Sequence, residues 1–161
     1  MSLAHWEDFV AGSVAHYGPR LITREEIVAF AAQFDPQPMH LDEEAARATM
    51  LGGLAASGWH TCCIQMRMIA DGFVLDSSSL GSPSVDEVKW LKPVRPGDRL
   101  TVRATVLQTR ASNTRRGMGL VKMLFETLNQ SGERVMTQVG TMMLARRGFD
   151  RISAMKPGGA P

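Results

Sequence analysis

The sequence predicts a single α+β domain in which an antiparallel sheet wraps around one long central helix, and three observations carry that prediction. From Ser57 onward Trp59, Cys62, Cys63, Met66, Ile69, Ala70 and Phe73 recur at helical spacing on nearly all sides, with Arg67 the only charge before Asp71. That is the pattern of a buried helix. After it, residues 85–91, 100–108, 119–130 and 133–145 are rich in β-branched side chains and are separated by turn signals. The 161 residues amount to about one domain, long enough to bury a core. A long apolar helix followed by an antiparallel run of strands implies a sheet packed around that helix.

The first element is a strand in residues 9–17, where Val10, Gly12, Val14 and His16 alternate with Ala11, Ser13 and Ala15 before the turn signal Gly18-Pro19. Thr23-Arg24-Glu25-Glu26 has capping-box spacing, so a helix starts at Arg24. Its residues Ile27, Phe30, Ala31 and Phe34 form one buried stripe. Pro36 and Pro38 remove donors and push their predecessors out of the helical region, which leaves residues 35–41 as a stiff loop. Asp42 caps a short acidic helix through Glu43, Glu44 and Ala45, ended by Gly52-Gly53. Ser57 is the N-cap of the central helix, and Gly58 allows backbone or ligand to approach its first turn.

Among the strands that follow, Leu100, Val102, Ala104 and Val106 alternate with Thr101, Arg103 and Thr105, as in a strand with one buried face. Pro93-Val94-Arg95-Pro96-Gly97-Asp98 forms a tight connection ahead of it, and Asn129-Gln130-Ser131-Gly132-Glu133 has hairpin-turn content. The domain is assigned to residues 1–146. Residues 147–161 lack periodicity and read as a flexible C-terminal tail.

Composition excludes several functional classes. With 44% hydrophobic and 21% charged residues and no apolar run near the roughly 18 residues of a membrane span, no membrane partner is expected. The net charge of +2 is small and the arginines are scattered, so no nucleic-acid partner is expected. Cys62 and Cys63 are adjacent, which strains a disulfide between them and favours a reducing compartment. Residues 1–6 lack the basic and apolar regions of a signal peptide, so the expected location is cytoplasmic. No spacing suits zinc or a phosphate-binding loop, and no metal is expected.

The sharpest local feature is Phe34-Asp35-Pro36-Gln37-Pro38-Met39-His40, a carboxylate and an imidazole five residues apart across two prolines. Adding water next to a thioester, or removing it, needs a base for the water, an acid or base at the α-carbon, and donors for the enolate oxygen. Asp35 and His40 can supply the first two. The structural alternative is that Asp35 caps a turn and His40 is a satisfied loop histidine.

The segment Ile22-Thr23 through Phe30, followed by Asp35-Pro36-Gln37-Pro38-Met39-His40-Leu41-Asp42, resembles the hydratase motif of the MaoC-like dehydratase and (R)-specific enoyl-CoA hydratase family. Gly52-Gly53-Leu54-Ala55-Ala56-Ser57-Gly58 and Lys92-Pro93-Val94-Arg95-Pro96-Gly97-Asp98 are similar to the family at the expected places, and the resemblance spans about residues 9–146. It implies a hotdog fold, in which Asp35 and His40 hold and activate water for addition to an enoyl-CoA, or its removal from a 3-hydroxyacyl-CoA. Gly58 N–H would be the oxyanion donor and Ser57 would orient the pair, an ordinary helix cap being the alternative. Coenzyme A enters as part of the substrate, and no separate cofactor is implied. Two positions depart from the motif, with Phe34 in place of the usual Gly and Gln37 in place of the usual Asn. Phe34 is expected to narrow or reshape the acyl pocket, and Gln37 to redirect a hydrogen bond.

Arg110, Arg115 and Arg116 flank a turn and are candidates for the coenzyme A phosphates, against a solvated hairpin tip. Met66, Met68, Met118, Met123, Met136, Met142 and Met143 suit an adaptable acyl tunnel or plain core filling. Cys62 and Cys63 read as inert thiols. Two other functions fit the same fold, a hotdog thioesterase and a non-catalytic acyl-CoA-binding or oligomerisation module. Exposed sheet edges make a homodimer or a larger even-numbered homo-oligomer the expected assembly, with the acyl tunnel near the interface as in related proteins.

Overall fold

Thr23 opens the first helix as its spacing predicts, its side chain accepting from Glu26 N–H at 3.2 Å. Only half of the capping box forms, because Glu26 turns its carboxylate to Arg20 instead. In a computed structural model describing residues 3–158, the elements in chain order are β1 (Val14–Leu21), α1 (Arg24–Phe34), α2 (Pro38–Leu41), α3 (Glu43–Arg47), α4 (Gly58–Ile69), β2 (Ser79–Trp90), β3 (Arg99–Ala111), β4 (Met118–Leu128), β5 (Arg134–Ala145) and α5 (Arg151–Ala154). The strands form one antiparallel sheet in the order β1-β3-β4-β5-β2. Its inner face wraps α4, which is the hotdog arrangement. No helix among the described residues is long and apolar enough to cross a membrane.

The core forms where α4 meets the sheet. Ile64, Met68 and Ile69 pack into a cluster with Leu100, Val102, Ala104 and Val106 of β3, Val121, Met123 and Phe125 of β4, and Met142 and Leu144 of β5. The predicted alternation in β3 is the observed one, since its four apolar residues are buried and Thr101, Arg103 and Thr105 are not. One buried polar residue interrupts the helix face. Gln65 accepts from Thr127 Oγ1 and donates to Gln138 Oε1, each at 2.9 Å, so α4 is pinned in rotation to β4 and β5.

Several expectations need correction. Strand β1 starts later than predicted and runs through Gly18-Pro19 rather than stopping there; as an edge strand it tolerates a missing donor at the register shift between Tyr17 and Arg20. Gly18 is required there, because a Cβ would lie 2.6 Å from Met68 Cε and 2.9 Å from Leu100 O, and its φ is +110°. The other edge, β2, begins six residues before the expected start, with Gly81 and Pro83 absorbed at further register shifts. Residues 35–41 are not all loop, since Pro38 occupies the first turn of α2, where a missing N–H costs nothing. Helix α3 ends at Arg47, before Gly52-Gly53. On α4 the burial is one-sided, with Trp59, Cys63 and Met66 exposed, and Phe73 falls in the π turn Ala70–Val74. The α1 stripe holds for Ile27 and Ala31 but not for Phe34, which is 64% exposed.

The segment expected as a tail makes hydrogen bonds and an ion pair with the domain as far as Gly158. Arg147 N–H donates to Glu7, its guanidinium pairs with Asp8, and Arg115 Nε donates to Met155 O at 2.8 Å. Asp150 caps α5, whose Ala154 is fully buried, and Gly158 N–H donates to Thr114 O at 2.8 Å. Residues 159–161 of that segment, and Met1 and Ser2 of the N-terminal reading, lie outside the described residues.

Helix α1 meets α4 at His60, which is 6% exposed and stacks on Phe30 with ring centroids 4.7 Å apart. Its Nδ1 has no hydrogen-bond partner among the described residues. Burial, reinforced by the charge of Arg20, pushes its pKa down to about 4 from an ordinary 6.5. The unfolded chain therefore binds a proton that the folded one refuses between those two values. The stability held above pH 6.5 by this group, on the order of 3 kcal/mol, is lost as pH falls toward 4. Urea midpoints at pH 7 and pH 4.5 should separate markedly for the wild type and clearly less for His60→Phe; equal losses would mean that His60 is not the group being protonated.

Candidate active site

Helix α1 is brought to its end by the prolines, and the residue at its close is Asp35, whose N–H still donates to Ala31 O at 2.9 Å while its side chain leaves the helix. One turn of α2 then carries His40 back toward it, so the five-residue spacing becomes a facing pair. The separation between His40 Nε2 and Asp35 Oδ2 is 3.6 Å.

Each member is held by a different partner. Asp35 Oδ2 accepts from Ser57 Oγ at 2.6 Å, and Oδ1 accepts from Gln37 Nε2 at 2.7 Å. These two hydrogen bonds, Ser57 first, hold the Asp35 carboxyl below its ordinary range; burial opposes the shift and His40 assists it. His40 is buried, with Nδ1 2.8 Å from the carbonyl oxygen of Ala55. A carbonyl only accepts, so Nδ1 carries the hydrogen, and Nε2 is the nitrogen turned toward Asp35. At 3.6 Å, Nε2 and the carboxylate oxygen are too far apart for a good direct hydrogen bond.

Ser57 sits at the N-cap position of α4, yet its hydroxyl makes no capping bond; it is committed to Asp35. The helix begins instead with Thr61 N–H donating to Ser57 O at 3.0 Å. Gly58 is the first residue of α4, where N–H groups have no intrahelical acceptor. Asp35, His40, Gln37, Ser57, Gly58 and Trp90 all line one cavity of about 500 Å³. The loop leading to Ser57 is clamped from outside by Arg95. Its guanidinium donates to the carbonyls of Gly53, at 2.6 Å, and of Leu51 and Leu54, while Arg95 N–H is tied to Asp98 at 2.7 Å.

A family model described as a MaoC like domain matches residues 9–124. The chain belongs to the MaoC-like family. Its relatives include YdeM of Bacillus subtilis, 32% identical over 130 residues that cover 80% of this chain and 90% of that protein. A mesaconyl-CoA hydratase of Cereibacter sphaeroides is 30% identical over 146 residues, covering 88% of this chain but 41% of that longer protein. Among solved structures, a MaoC-like dehydratase from Rhodospirillum rubrum superposes with a TM-score of 0.81 at 39% identity, covering 90% of this chain and 99% of that one.

In this MaoC-like domain the geometry brings together Asp35, His40, Ser57, Gly58 and Gln37, and leaves other expected residues apart. Phe34 does not line the cavity; it leans on Phe30, with ring centroids 5.1 Å apart, and faces solvent. Arg110, Arg115 and Arg116 lie at the far end of the β3–β4 hairpin. Arg110 pairs with Leu120, eight residues along β4 from the Leu128 end nearest the cavity, or roughly 25 Å at strand spacing. Met68, Met118, Met123, Met136 and Met142 are buried in the core, and the methionine that does line the cavity is Met50, at its rim.

Sequence reasoning missed Trp90, Arg95 and the Ala55 carbonyl. Trp90 stands two residues before the Lys92-Pro93 motif, so a bulky aromatic at a strand end beside a motif was the available signal. Arg95 lay inside a segment read as a tight connection and as part of the family resemblance, with no role given to its side chain, and a backbone carbonyl leaves no mark in a sequence.

Because Asp35 has a lowered folded pKa, it contributes stability at pH above its unfolded value, and that contribution is lost as pH falls through the folded value. Replacing Ser57 by Ala should raise the Asp35 carboxyl midpoint in a carbon-13 NMR titration and shrink the contribution. A midpoint that stays put would remove Ser57 as the group that holds the carboxylate.

Proposed function

We propose that this MaoC-like domain adds water to a trans-2-enoyl-CoA thioester, or removes it from the corresponding 3-hydroxyacyl-CoA, using Asp35 and His40. Family membership supports hydratase or dehydratase chemistry in general. The observation that carries the finer reading is the convergence on one cavity of the Asp35 carboxyl and His40 Nε2, 3.6 Å apart, beside the first turn of α4.

In the hydration direction, a water donating one hydrogen to His40 Nε2 and the other to Asp35 Oδ2 has its oxygen lone pairs directed away from both. As that oxygen attacks C3, one O–H bond and the C2=C3 π bond break and the C3–O bond forms. The pair receives the proton and returns one to C2, forming the C2–H bond. Charge accumulates meanwhile on the thioester oxygen, where Gly58 N–H at the positive end of α4 serves as the donor. Dehydration is the same path reversed. Gln37 and Ser57 keep the carboxylate from rotating, and the Ala55 carbonyl fixes the tautomer of His40. The reaction as proposed needs no cofactor, and coenzyme A serves as the carrier half of the substrate. The proposal places it in the cytoplasm, on the strength of the adjacent free thiols.

Loss of enoyl-thioester absorbance, followed over short, long, branched and dicarboxylic trans-2-enoyl-CoA substrates, tests this directly. Asp35→Asn and His40→Ala should each lower kcat/KM by at least ~100-fold, the scale of a positioned acid–base group. Turnover indifferent to both substitutions, or release of free thiol without hydration, would overturn the reading.

The partner proposed for the exposed face is a second copy of the chain. Strand β2 is a sheet edge carrying exposed Val85, and its last residue, Trp90, packs on exposed Trp59 of α4, so an antiparallel β2–β2 pairing would cover an apolar edge. Sedimentation equilibrium should give twice the 17.6 kDa chain mass, falling toward the monomer on Val85→Lys. A monomeric wild type at micromolar concentration would rule out the pairing.

A further inference from the structure

We infer that Trp90 is a specificity-determining residue, whose indole walls the cavity beside the Gly58 N–H and limits bulk at the α-carbon of the substrate. The inference rests on the hydratase reading for its substrate, and on the following geometry for its location. A Cβ added to Gly58 would lie 2.6 Å from Trp90 Cε2 and 2.8 Å from both Cδ2 and Nε1. The ring therefore occupies the space that any other residue at position 58 would fill. Its Nε1 donates to the Gly58 carbonyl at 2.9 Å, and its edge meets the ring of Trp59 at 76° with centroids 5.3 Å apart. Two tethers hold the indole across the first turn of α4 even though it is half-exposed.

The position relative to the reaction follows from helix geometry. At the start of a helix the N–H points out along the axis, whereas the Cβ direction points sideways from it. A thioester whose oxygen accepts from Gly58 N–H lies in front of the helix end, and the indole stands to one side of it. The carbonyl carbon of that thioester carries two substituents, the sulfur and the α-carbon. The sulfur is common to every coenzyme A ester, so next to the carbonyl the first point at which the wall can discriminate is what the α-carbon bears. A hydrogen there leaves the indole in place; a methyl group competes with it. A hydrophobic site separates substrates differing by one carbon by about 10- to 200-fold, which sets the size of effect to expect.

Steady-state kinetics should compare trans-2-enoyl-CoA substrates with and without a methyl group at C2, in the wild type, Trp90→Phe and Trp90→Leu. Calorimetric binding of saturated acyl-CoA esters with and without the same methyl group supplies a readout independent of turnover. The wild type should favour the unbranched substrate by at least ~10-fold in kcat/KM, and Trp90→Leu should narrow that ratio by about the same factor. Trp90→Phe should lie between them and guards against a Leu variant that folds poorly. Thermal unfolding gives a check on the contact itself, because Gly58→Ala should lower Tm in the wild type and less so in the Trp90→Leu background.

A branched-to-unbranched ratio unmoved by either substitution, in both turnover and binding, overturns the assignment. So does a wild type that binds none of the acyl-CoA probes. A wild type that turns over nothing, but whose binding ratio shifts with Trp90, overturns the hydratase reading and supports the wall.

Discussion

The geometry of the cavity depends on one hydrogen bond, from the Ser57 hydroxyl to Asp35 at 2.6 Å, because it joins the end of α1 to the beginning of α4. Those two helices carry the carboxylate and the backbone donor respectively, and 22 residues of chain separate Asp35 from Ser57. The burial of Ile64, Met68 and Ile69 sets the depth of α4 against the sheet, and the Gln65 amide sets its rotation. What remains is how the helix start meets the carboxylate. A hydroxyl spent on capping would satisfy a helix N–H and leave Asp35 with Gln37 alone; this chain spends it on the carboxylate and leaves the helix end open.

Two histidines near that junction illustrate how the surroundings, rather than the residue type, decide what an imidazole does. His40 and His60 are both buried. His40 has a carbonyl on one nitrogen and a carboxylate 3.6 Å from the other, so its ring is fixed in orientation with Nε2 turned toward Asp35. His60 has an aromatic face against it and an unpaired Nδ1, with Glu26 no nearer than 3.9 Å to its Nε2. It behaves as a flat, apolar spacer between α1 and α4.

Much of this was legible in the sequence where the determinant was local. Thr23 and Asp42 announced helix starts through side chains that bond three residues away, and β3 announced its buried face by alternation. Asp35 and His40 stood out because two prolines lock the spacing between them. The edge strands were legible only in part, since Gly18-Pro19 and Gly81 with Pro83 are turn signals that a sheet edge can absorb. Phe34 fits the α1 stripe by spacing but falls at the last turn, where no element covers it. The opposite case is Trp90, whose place beside the Lys92-Pro93 motif was visible but whose partner, the Gly58 carbonyl, lies 32 residues earlier and leaves no local mark.

The Arg95 clamp bears on the order in which the molecule can be made. Its three carbonyl acceptors lie 41 to 44 residues earlier in the chain, in the loop that delivers Ser57 to Asp35. A ribosome that has released residues 1–90 has already supplied the carboxylate, the imidazole and the indole, but not Val94 and Val135 of the same cavity wall. It has not supplied the fork that gives the loop its shape. Assembly of the pocket therefore waits first on the β2–β3 connection and then on β5, which brings Val135 to the cavity wall, so synthesis completes the reacting groups of this site well before it completes the site.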